Sequence, residues 1–302
     1  MRITNNMLIG NMMRYMGNNL ERMEKYQKQM ATGKKISVPS DDPVVAARAL
    51  KLRTDVSNVV QYQRNVDDAE SWMDITEAAI SNLNDILQRA RELGVQAENS
   101  TNNSEDLQKI SAEIKELRKQ IVQIANSTYA GRYVFSGYST DKKLMNDDGT
   151  FAIDALNSEK INYEISLGDD IDINVPGGEL FDMGNSAVKG NKCRLIQVMD
   201  DFITALDNGD NGAVSNIVKD IDDCVDNLLR VRADIGARMN RLEFTRNRLE
   251  SDYINFTELM STNEDVDMAE TIMNLKNEEN VYRASLAGGA RIIQTSLVDF
   301  LK

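Results

Sequence analysis

The sequence contains no histidine among its 302 residues, and this absence excludes several kinds of catalytic and metal site. Ser–His and Cys–His nucleophile pairs, HExxH zinc sites and ExxH di-iron bundle sites all need an imidazole. Proline occurs only three times and aromatic residues make up 6% of the chain, which favours long uninterrupted helices over many short strands. The sequence therefore predicts a helical protein with no catalytic, cofactor-binding or metal-binding residues.

Cysteine is scarce, and the two that occur, Cys193 and Cys224, lie too far apart for a CxxC motif. Cys224 continues an apolar helical stripe with Ile217, Ile221 and Leu228, which predicts a buried structural thiol. The environment of Cys193 stays open at this point, and so does a disulfide between the two cysteines.

Long apolar runs are also missing. No segment approaches the ~20 apolar residues that cross a bilayer, and the N-terminus has no apolar h-region followed by a small-residue cleavage site. We therefore expect no membrane partner. If the protein acts outside the cell, we expect it to be exported without a cleaved signal peptide.

The net charge of −13 argues against a nucleic-acid partner. Phosphate binding needs clustered cations, whereas the basic residues here are spread along the chain and mostly interleaved with acids. At 41% hydrophobic residues the chain has enough apolar material for a folded core, and its length allows two domains.

What the chain has in abundance is helical periodicity, most regular at its two ends. Apolar residues recur there at alternating spacings of four and three, the period of a coiled coil. Neither narrow stripe should bury its apolar face in water without a partner. We predict that the terminal helices pair as a coiled coil and carry an assembly interface formed by Ile9, Met13, Met16, Leu20, Met23, Ile272, Leu275, Tyr282, Leu286, Gly289, Ile293 and Phe300.

A turn after the first helix contains Ser40, Asp41, Asp42 and Pro43. Proline suits the first position of a helix, so Asp42 is predicted as the N-cap and Asp41 as an acid near the positive helix end. The alternative is a metal or acid–base pair of aspartates. Capping is the better interpretation because no third ligand lies nearby in sequence.

Between the ends, helices are predicted at 43–97, from Ser104 past 124, at 192–206 and at 213–260, and Ser261–Glu264 fits a capping box for the last helix. Residues 138–190 change to a strand period. They contain alternating apolar residues at 161–167 and 171–175, a hairpin loop at 168–170 and Pro176-Gly177-Gly178 at the tip.

The predicted fold class is mainly α with a small β-rich insertion, as an elongated rod of long antiparallel helices. Three parts are expected. Residues 1–40 with 264–302 form a terminal coiled-coil layer, residues 41–137 with 192–263 form a long-helix rod domain, and residues 138–191 form a small β-rich outer domain.

Several separated segments resemble bacterial flagellins, in the same order along the chain. Lys34–Pro43 followed by Ala46-Ala47-Arg48-Ala49 is similar to the turn between their first two helices. Leu87–Leu93 resembles their long N-terminal helix, and Arg232–Leu242 resembles their long C-terminal helix. The resemblance covers about 1–137 and 192–302.

Within the flagellin superfamily, three short segments resemble hook-associated members more than filament subunits: Met1–Thr4, Tyr129–Gly137 and Ser296–Lys302. This resemblance implies a structural role in a ring of the bacterial flagellum, and self-association. It also implies contacts with a first hook–filament junction protein and with flagellin, and unfolded type III export aided by a flagellar export chaperone.

Three other functions stay open. A filament flagellin would share every long-helix segment. An intracellular coiled-coil scaffold would share the helical period. An enzyme with a glycosidase-like carboxylate pair is the third alternative, although helices of this period suggest no convergent cleft.

Overall fold

The computed structural model describes residues 5–98 and 103–300, and within them the side chains of residues 7–98, 103–210 and 212–290. The predicted mainly helical fold with a small β-rich insertion is confirmed. The helices are α1 Asn5–Thr32, α2 Pro43–Glu98, α3 Ser104–Ala125, α4 Gly177–Phe181, α5 Arg194–Asn208, α6 Asn211–Glu264 and α7 Met268–Phe300. The strands are β1 Thr128–Tyr129, β2 Arg132–Tyr133, β3 Asn162–Ser166 and β4 Asp169–Asp172.

The chain folds into two compact units. The terminal unit joins the chain ends, up to Asn58 and from Asp252 onward, and the central unit holds Val59–Ser251. Both boundaries fall inside long helices, α2 and α6. The three-part division into 1–40 with 264–302, 41–137 with 192–263, and 138–191 stays a prediction.

Long helices supply most of the apolar core of the central unit. Each has buried residues three or four positions apart, because that spacing keeps them on one side of a helix. In this unit α3 packs against α5, and Arg118 of α3 donates a hydrogen bond to Asp200 of α5 at 2.6 Å. The buried residues of α2 include Val66, Ala69, Met73, Ile80, Leu83, Leu87 and Ala90.

The strands form two short antiparallel hairpins, β1 with β2 and β3 with β4. The predicted hairpin of the insertion is present, but β4 begins at Asp169, earlier than the predicted start at 171. Gly168 makes this tight connection possible, since its φ of +73° lies in the left-handed region that favours glycine.

The segment Pro176-Gly177-Gly178 is not the exposed tip that its composition predicted. Gly177 and Gly178 are buried at the start of α4. A Cβ on Gly178 would collide with backbone atoms of Asn185 and Ala187. These glycines therefore serve a close backbone approach inside the fold, which composition alone does not distinguish from a loop tip.

The predicted capping box at Ser261–Glu264 is wrong. Helix α6 continues through these residues to Glu264. Asp267 caps α7 instead, because its Oδ1 accepts hydrogen bonds from the backbone amides of Ala269 at 2.8 Å and Glu270 at 3.2 Å. The Glu264 side chain is directed to other partners, described below.

Both cysteines are buried free thiols. Cys193 is the N-cap of α5, where its Sγ accepts a hydrogen bond from the backbone amide of Ile196 at 3.4 Å. Burial raises the pKa of Cys193 to about 12 and that of Cys224 to about 11. The burial predicted for Cys224 is confirmed, and these raised pKa values keep both thiols protonated and unreactive at neutral pH.

Phe135 and Phe181 make an edge-to-face contact in the core, with ring centroids 5.4 Å apart. Phe181 is fully buried, whereas Phe244 is 74% exposed. We expect Phe181→Ala to lower the free energy of unfolding by about 3–5 kcal/mol. The matched control Phe244→Ala should change it by less than about 0.5 kcal/mol. Urea unfolding followed by circular dichroism measures both, and equal losses would contradict the assignment of Phe181 to the core.

Candidate functional site in the terminal helices

Helices α1 and α7 pack along each other in opposite directions within the terminal unit. Lys34 and Asp265 form an antiparallel bridge next to the pair, and farther along Arg22 Nε donates to Glu278 Oε1 at 3.0 Å. Buried and half-buried residues recur every three or four positions on both helices, as in a coiled coil. We call these residues the seam: Ile9, Met12, Met16, Asn19, Met23 and Tyr26 on α1, and Thr271, Leu275, Glu278, Tyr282, Ser285 and Gly289 on α7.

The predicted interface residues separate into two groups. One group lies in the seam: Ile9, Met16, Met23, Leu275, Tyr282 and Gly289. The other group lies beside the seam and stays between 44% and 62% exposed: Met13, Leu20, Ile272 and Leu286. The side chains of Ile293 and Phe300 lie outside the described residues.

The exposed group shares one side of the helix pair. Each of its members follows a seam residue by one position, a turn of about 100° around the helix, and so occupies the e position of a heptad. In an antiparallel pair the e positions of both helices flank the seam on the same side. We call this set the open apolar face: Met13, Leu20, Ile272 and Leu286.

A buried amide lies within the otherwise largely apolar seam of α1. Asn19 is 7% exposed, and its Nδ2 donates to Ser285 Oγ at 3.4 Å while its Oδ1 accepts from Arg22 at 2.5 Å. A polar side chain buried in a coiled coil favours the one register in which its partners are present. Sequence reasoning missed Asn19 because it chose the neighbouring apolar Leu20.

Gly289 allows α7 to approach α1 closely. A side chain at this position would overlap the terminal methyl of Met12, whereas nothing lies within 4 Å of the corresponding position on Gly288. Glycine in a helix interior costs about 0.5–1 kcal/mol relative to alanine. At Gly289 the close packing against Met12 offsets the cost of glycine. At Gly288 no close contact among the described residues explains why glycine is present.

At the link between α6 and α7, a buried carboxylate joins the end of α6 to α2 and to the segment after α1. Glu264 is 2% exposed, and its Oε2 lies 2.8 Å from the guanidinium of Arg53 and 3.2 Å from Nζ of Lys34. Lys34 also reaches Asp265 at 2.6 Å. We call Lys34, Arg53, Glu264 and Asp265 the Glu264 cluster.

Backbone hydrogen bonds reinforce the Glu264 cluster. The amide of Lys35 donates to the carbonyl of Glu264 at 2.6 Å, and the amide of Val266 donates to the carbonyl of Gly33 at 3.0 Å. Gly33 follows the end of α1 in the left-handed conformation that glycine adopts readily, with a φ of +70°. The links after α1 and after α6 therefore pair like two short strands.

The charges of the Glu264 cluster shift its pKa values. The hydrogen bond from Arg53, and then that from Lys34, holds the pKa of Glu264 below its usual range against the opposing effect of burial. Lys34 and Ser261 likewise lower the pKa of Asp265. Both carboxylates are therefore ionised at neutral pH in the folded protein.

Two aspartates organise the predicted helix-start turn. Asp42 Oδ1 accepts hydrogen bonds from the backbone amides of Val44 at 3.0 Å and Val45 at 3.1 Å, so it caps α2. Pro43 is the first residue of α2, as its fixed φ favours.

Asp41 has a different role from the one predicted. Its Oδ2 accepts from the backbone amides of Ser37 at 2.9 Å and Val38 at 3.1 Å, and these bonds lower the pKa of Asp41. The carboxylate of Asp41 therefore stabilises the preceding turn and not the start of α2. Ser40, the fourth residue of the predicted turn, is exposed. Loop geometry decides this, because the turn directs those two amides toward Asp41.

The part of the chain that the structure describes offers no group of three or more Cys, Asp or Glu side chains placed to hold a metal ion. Across the same residues, every helix is too short or too polar to span a bilayer. The features that stand out in the terminal unit are therefore packing surfaces: the seam, the open apolar face and the Glu264 cluster.

Comparison with known proteins agrees with this helical arrangement. The bacterial flagellin N-terminal helical region matches residues 3–140, and the bacterial flagellin C-terminal helical region matches residues 218–301. Together these matches span well over half of the chain. The chain belongs to the bacterial flagellin family.

Two relatives match this chain over nearly its whole length. It is 28% identical to flagellar hook-associated protein 3 of Escherichia coli, over 94% of this chain and 95% of that protein. It is 29% identical to a flagellin of Bacillus subtilis, over 95% of this chain and 94% of that protein. A solved hook-associated protein from Vibrio parahaemolyticus shares the fold, with a TM-score of 0.66, 22% identity and coverage of 74% of this chain and 100% of that one.

The neighbouring glycines of α7 give a matched test of the seam. We expect Gly289→Leu to separate α1 from α7, because the new side chain must displace Met12, and so to lower the thermal midpoint of the terminal helices. Gly288→Leu should leave the midpoint unchanged or raise it, since leucine is the better helix former by up to about 1 kcal/mol. Thermal melts by circular dichroism compare the two, and an equal loss would argue against the seam.

The lowered pKa of Glu264 predicts how stability depends on pH. A carboxylate with a depressed folded pKa contributes its stability above the unfolded value of about 4.3, and that contribution is lost as pH falls through the folded pKa. At pH 7 we expect Glu264→Gln to cost about 1–3 kcal/mol. The difference from the unsubstituted protein should shrink below the unfolded pKa and disappear below the folded pKa.

Urea unfolding across a pH series measures this difference. Glu258→Gln is the matched control, because Glu258 is an exposed acid on the same helix. A pH-independent cost for Glu264→Gln, or the same behaviour in both variants, would show that the cluster contributes no ionic stabilisation.

Proposed function

We propose that this protein is a structural subunit of the bacterial flagellum that joins the hook to the filament, and that it assembles as a ring through its terminal helices. The observation that carries the proposal is the open apolar face on one side of the α1–α7 pair. Resemblance over nearly the whole length to a hook-associated protein 3 supports the same role.

The open apolar face has the character of a subunit contact. Met13, Leu20 and Leu286 fall within about two helical turns of each other along the antiparallel pair, as judged from the register of the seam. Most of the large apolar side chains that are exposed among the described residues lie in the terminal unit, although it is the smaller unit. Contiguous exposed apolar surface marks a site of protein association.

Charge also favours association of the terminal units. Residues 59–251 contain 21 of the 35 lysine and arginine residues and 34 of the 48 aspartate and glutamate residues. The central unit therefore carries the whole formal charge of −13, and the terminal unit is neutral. Neutral apolar surfaces pack together without the like-charge repulsion that opposes close contact of acidic ones.

Copies of this chain are the first partner in the proposal. Its neighbours in the flagellum are the first hook–filament junction protein on one side and flagellin on the other. A flagellar export chaperone covers the open apolar face of α7 until export, since an exposed apolar face promotes aggregation. The site of action is extracellular, reached by flagellar type III export without a cleaved signal peptide.

A filament flagellin is the second candidate function, because the Bacillus subtilis flagellin is as similar as the hook-associated relative. Immunogold labelling of isolated flagella distinguishes the two. We expect one band of label at the junction of hook and filament. Label along the whole filament would assign the chain as a flagellin, and absence of label from flagella would overturn both.

A single substitution tests whether the open apolar face drives assembly. Leu286→Asp should leave a folded monomer, because Leu286 is 44% exposed, but it should abolish incorporation into flagella. Leu229→Asp is the matched control, since Leu229 is 46% exposed on α6 of the central unit. Complementation of a deletion strain, scored by flagellar labelling and swimming, measures both. Normal incorporation of Leu286→Asp would contradict the role of this face.

A further inference from the structure

The acidic central unit raises a physical problem for a ring of identical subunits. Neighbouring copies must bring central units of formal charge −13 close together, and like charges repel unless surfaces of opposite sign meet. A contact between central units therefore requires a locally cationic surface on one copy and an acidic surface on the next.

Helix α6 provides one cationic surface of this kind. Phe244 is 74% exposed, with Arg241 and Arg248 three and four residues away on the same side of the helix. Arg241 is neutralised by its ion pair with Asp169, whereas Arg248 makes no ion pair with a side chain of residues 7–98, 103–210 or 212–290. We call Phe244 and Arg248 the cationic patch. An aromatic ring beside arginines is the residue pairing enriched at protein interfaces.

Helix α2 provides a counterpart of opposite sign. Ile75 is 38% exposed, and the exposed Asp68 lies two turns earlier on the same side of the helix. Asp68 makes no ion pair with any other residue whose side chain the structure describes. We call Asp68 and Ile75 the acidic patch.

Ion pairs between α2 and α6 show which way the two patches face. Glu77, two residues from Ile75, is about 200° around α2 from it, and it accepts a hydrogen bond from Arg232 of α6 at 2.6 Å. Ile75 therefore points away from α6.

The same reasoning applies to the cationic patch. Arg246 lies two residues from both Phe244 and Arg248, about 200° around α6, and it pairs with Glu70 of α2. Phe244 therefore points away from α2. The two patches face outward on opposite sides of the α2–α6 pair.

We infer that the cationic patch of one copy docks on the acidic patch of the next copy. Two different, complementary patches on opposite sides of one chain make a head-to-tail contact, the kind that closes into a ring. The inference rests on the proposed ring assembly and names a contact between its subunits.

Each patch combines one exposed apolar side chain with one charge. Arg248 is four residues from Phe244, about 6 Å along α6, and Asp68 is seven residues from Ile75, about 10 Å along α2. Docking of Phe244 on Ile75 therefore places Arg248 and Asp68 close enough for the long arginine side chain to pair with the aspartate.

Disulfide cross-linking in assembled flagella tests the contact. We expect the double variant Phe244→Cys with Ile75→Cys to give a ladder of oligomers on a non-reducing gel, because each chain links to the next at both sides. Each single variant should give only monomer. Ile75→Cys with Leu156→Cys is the control pair, since Leu156 is 50% exposed outside both patches. The native cysteines are buried and should not contribute.

The outcomes separate this inference from the proposed function. If the double variant is present in flagella but gives no ladder, or if the control pair gives an equal ladder, the docking contact is overturned and the junction role stands. Dimers from Phe244→Cys alone would show a like-with-like contact and would also overturn the inference. Absence of the unsubstituted protein from flagella overturns both proposals.

Charge reversal provides a second test. Arg248→Glu should reduce incorporation into flagella, and Asp68→Lys in the same chain should restore it, because the docked pair regains opposite charges. Failure of the second substitution to restore incorporation would count against the pairing of these two patches.

Discussion

The packing of α1 against α7 is the interaction on which the terminal unit depends. Each helix has an apolar stripe too narrow to stabilise it alone in water, and the partner lies at the opposite end of the chain. The antiparallel seam buries Leu275 and Gly289 and partly buries Met16. Packing into this seam leaves the neighbouring e positions exposed, and so creates the open apolar face. Packing within one chain therefore uses one side of these helices, and the proposed association between chains uses the adjacent side.

Polar groups give this apolar packing its alignment. Asn19 has partners in one register only, and the Glu264 cluster joins the links after α1 and α6 to the start of α2. Replacing a buried ion pair by apolar residues can be neutral or even stabilising, but removing one member leaves a buried charge without its partner. The polar residues therefore have most effect on which arrangement forms, while apolar burial supplies most of the stability.

The distribution of charge complements these packing surfaces. All of the formal charge resides in the central unit, so apolar association of neutral terminal units is not opposed by their own charge. On the central unit, the cationic patch and the acidic patch face opposite sides of α2 and α6. Under the proposed docking, one chain meets two neighbours through different surfaces, whereas a self-complementary patch would stop at a dimer.

The sequence by itself determined the long helices, the left-handed Gly33, the cap at Asp42 and membership of the flagellin family, because each depends on local residue preferences or on segments several residues long. Only the tertiary structure decided which of two adjacent stripes forms the seam. Met13 and Leu20 fit a heptad as well as Met12 and Asn19 do, and one position turns the helix by about 100°. The tertiary structure also decided that Glu264 is the last residue of α6 and not part of a capping box for α7. Its carboxylate is bound by Lys34 and Arg53, which come from distant parts of the chain. Local capping preferences carry no information about such partners.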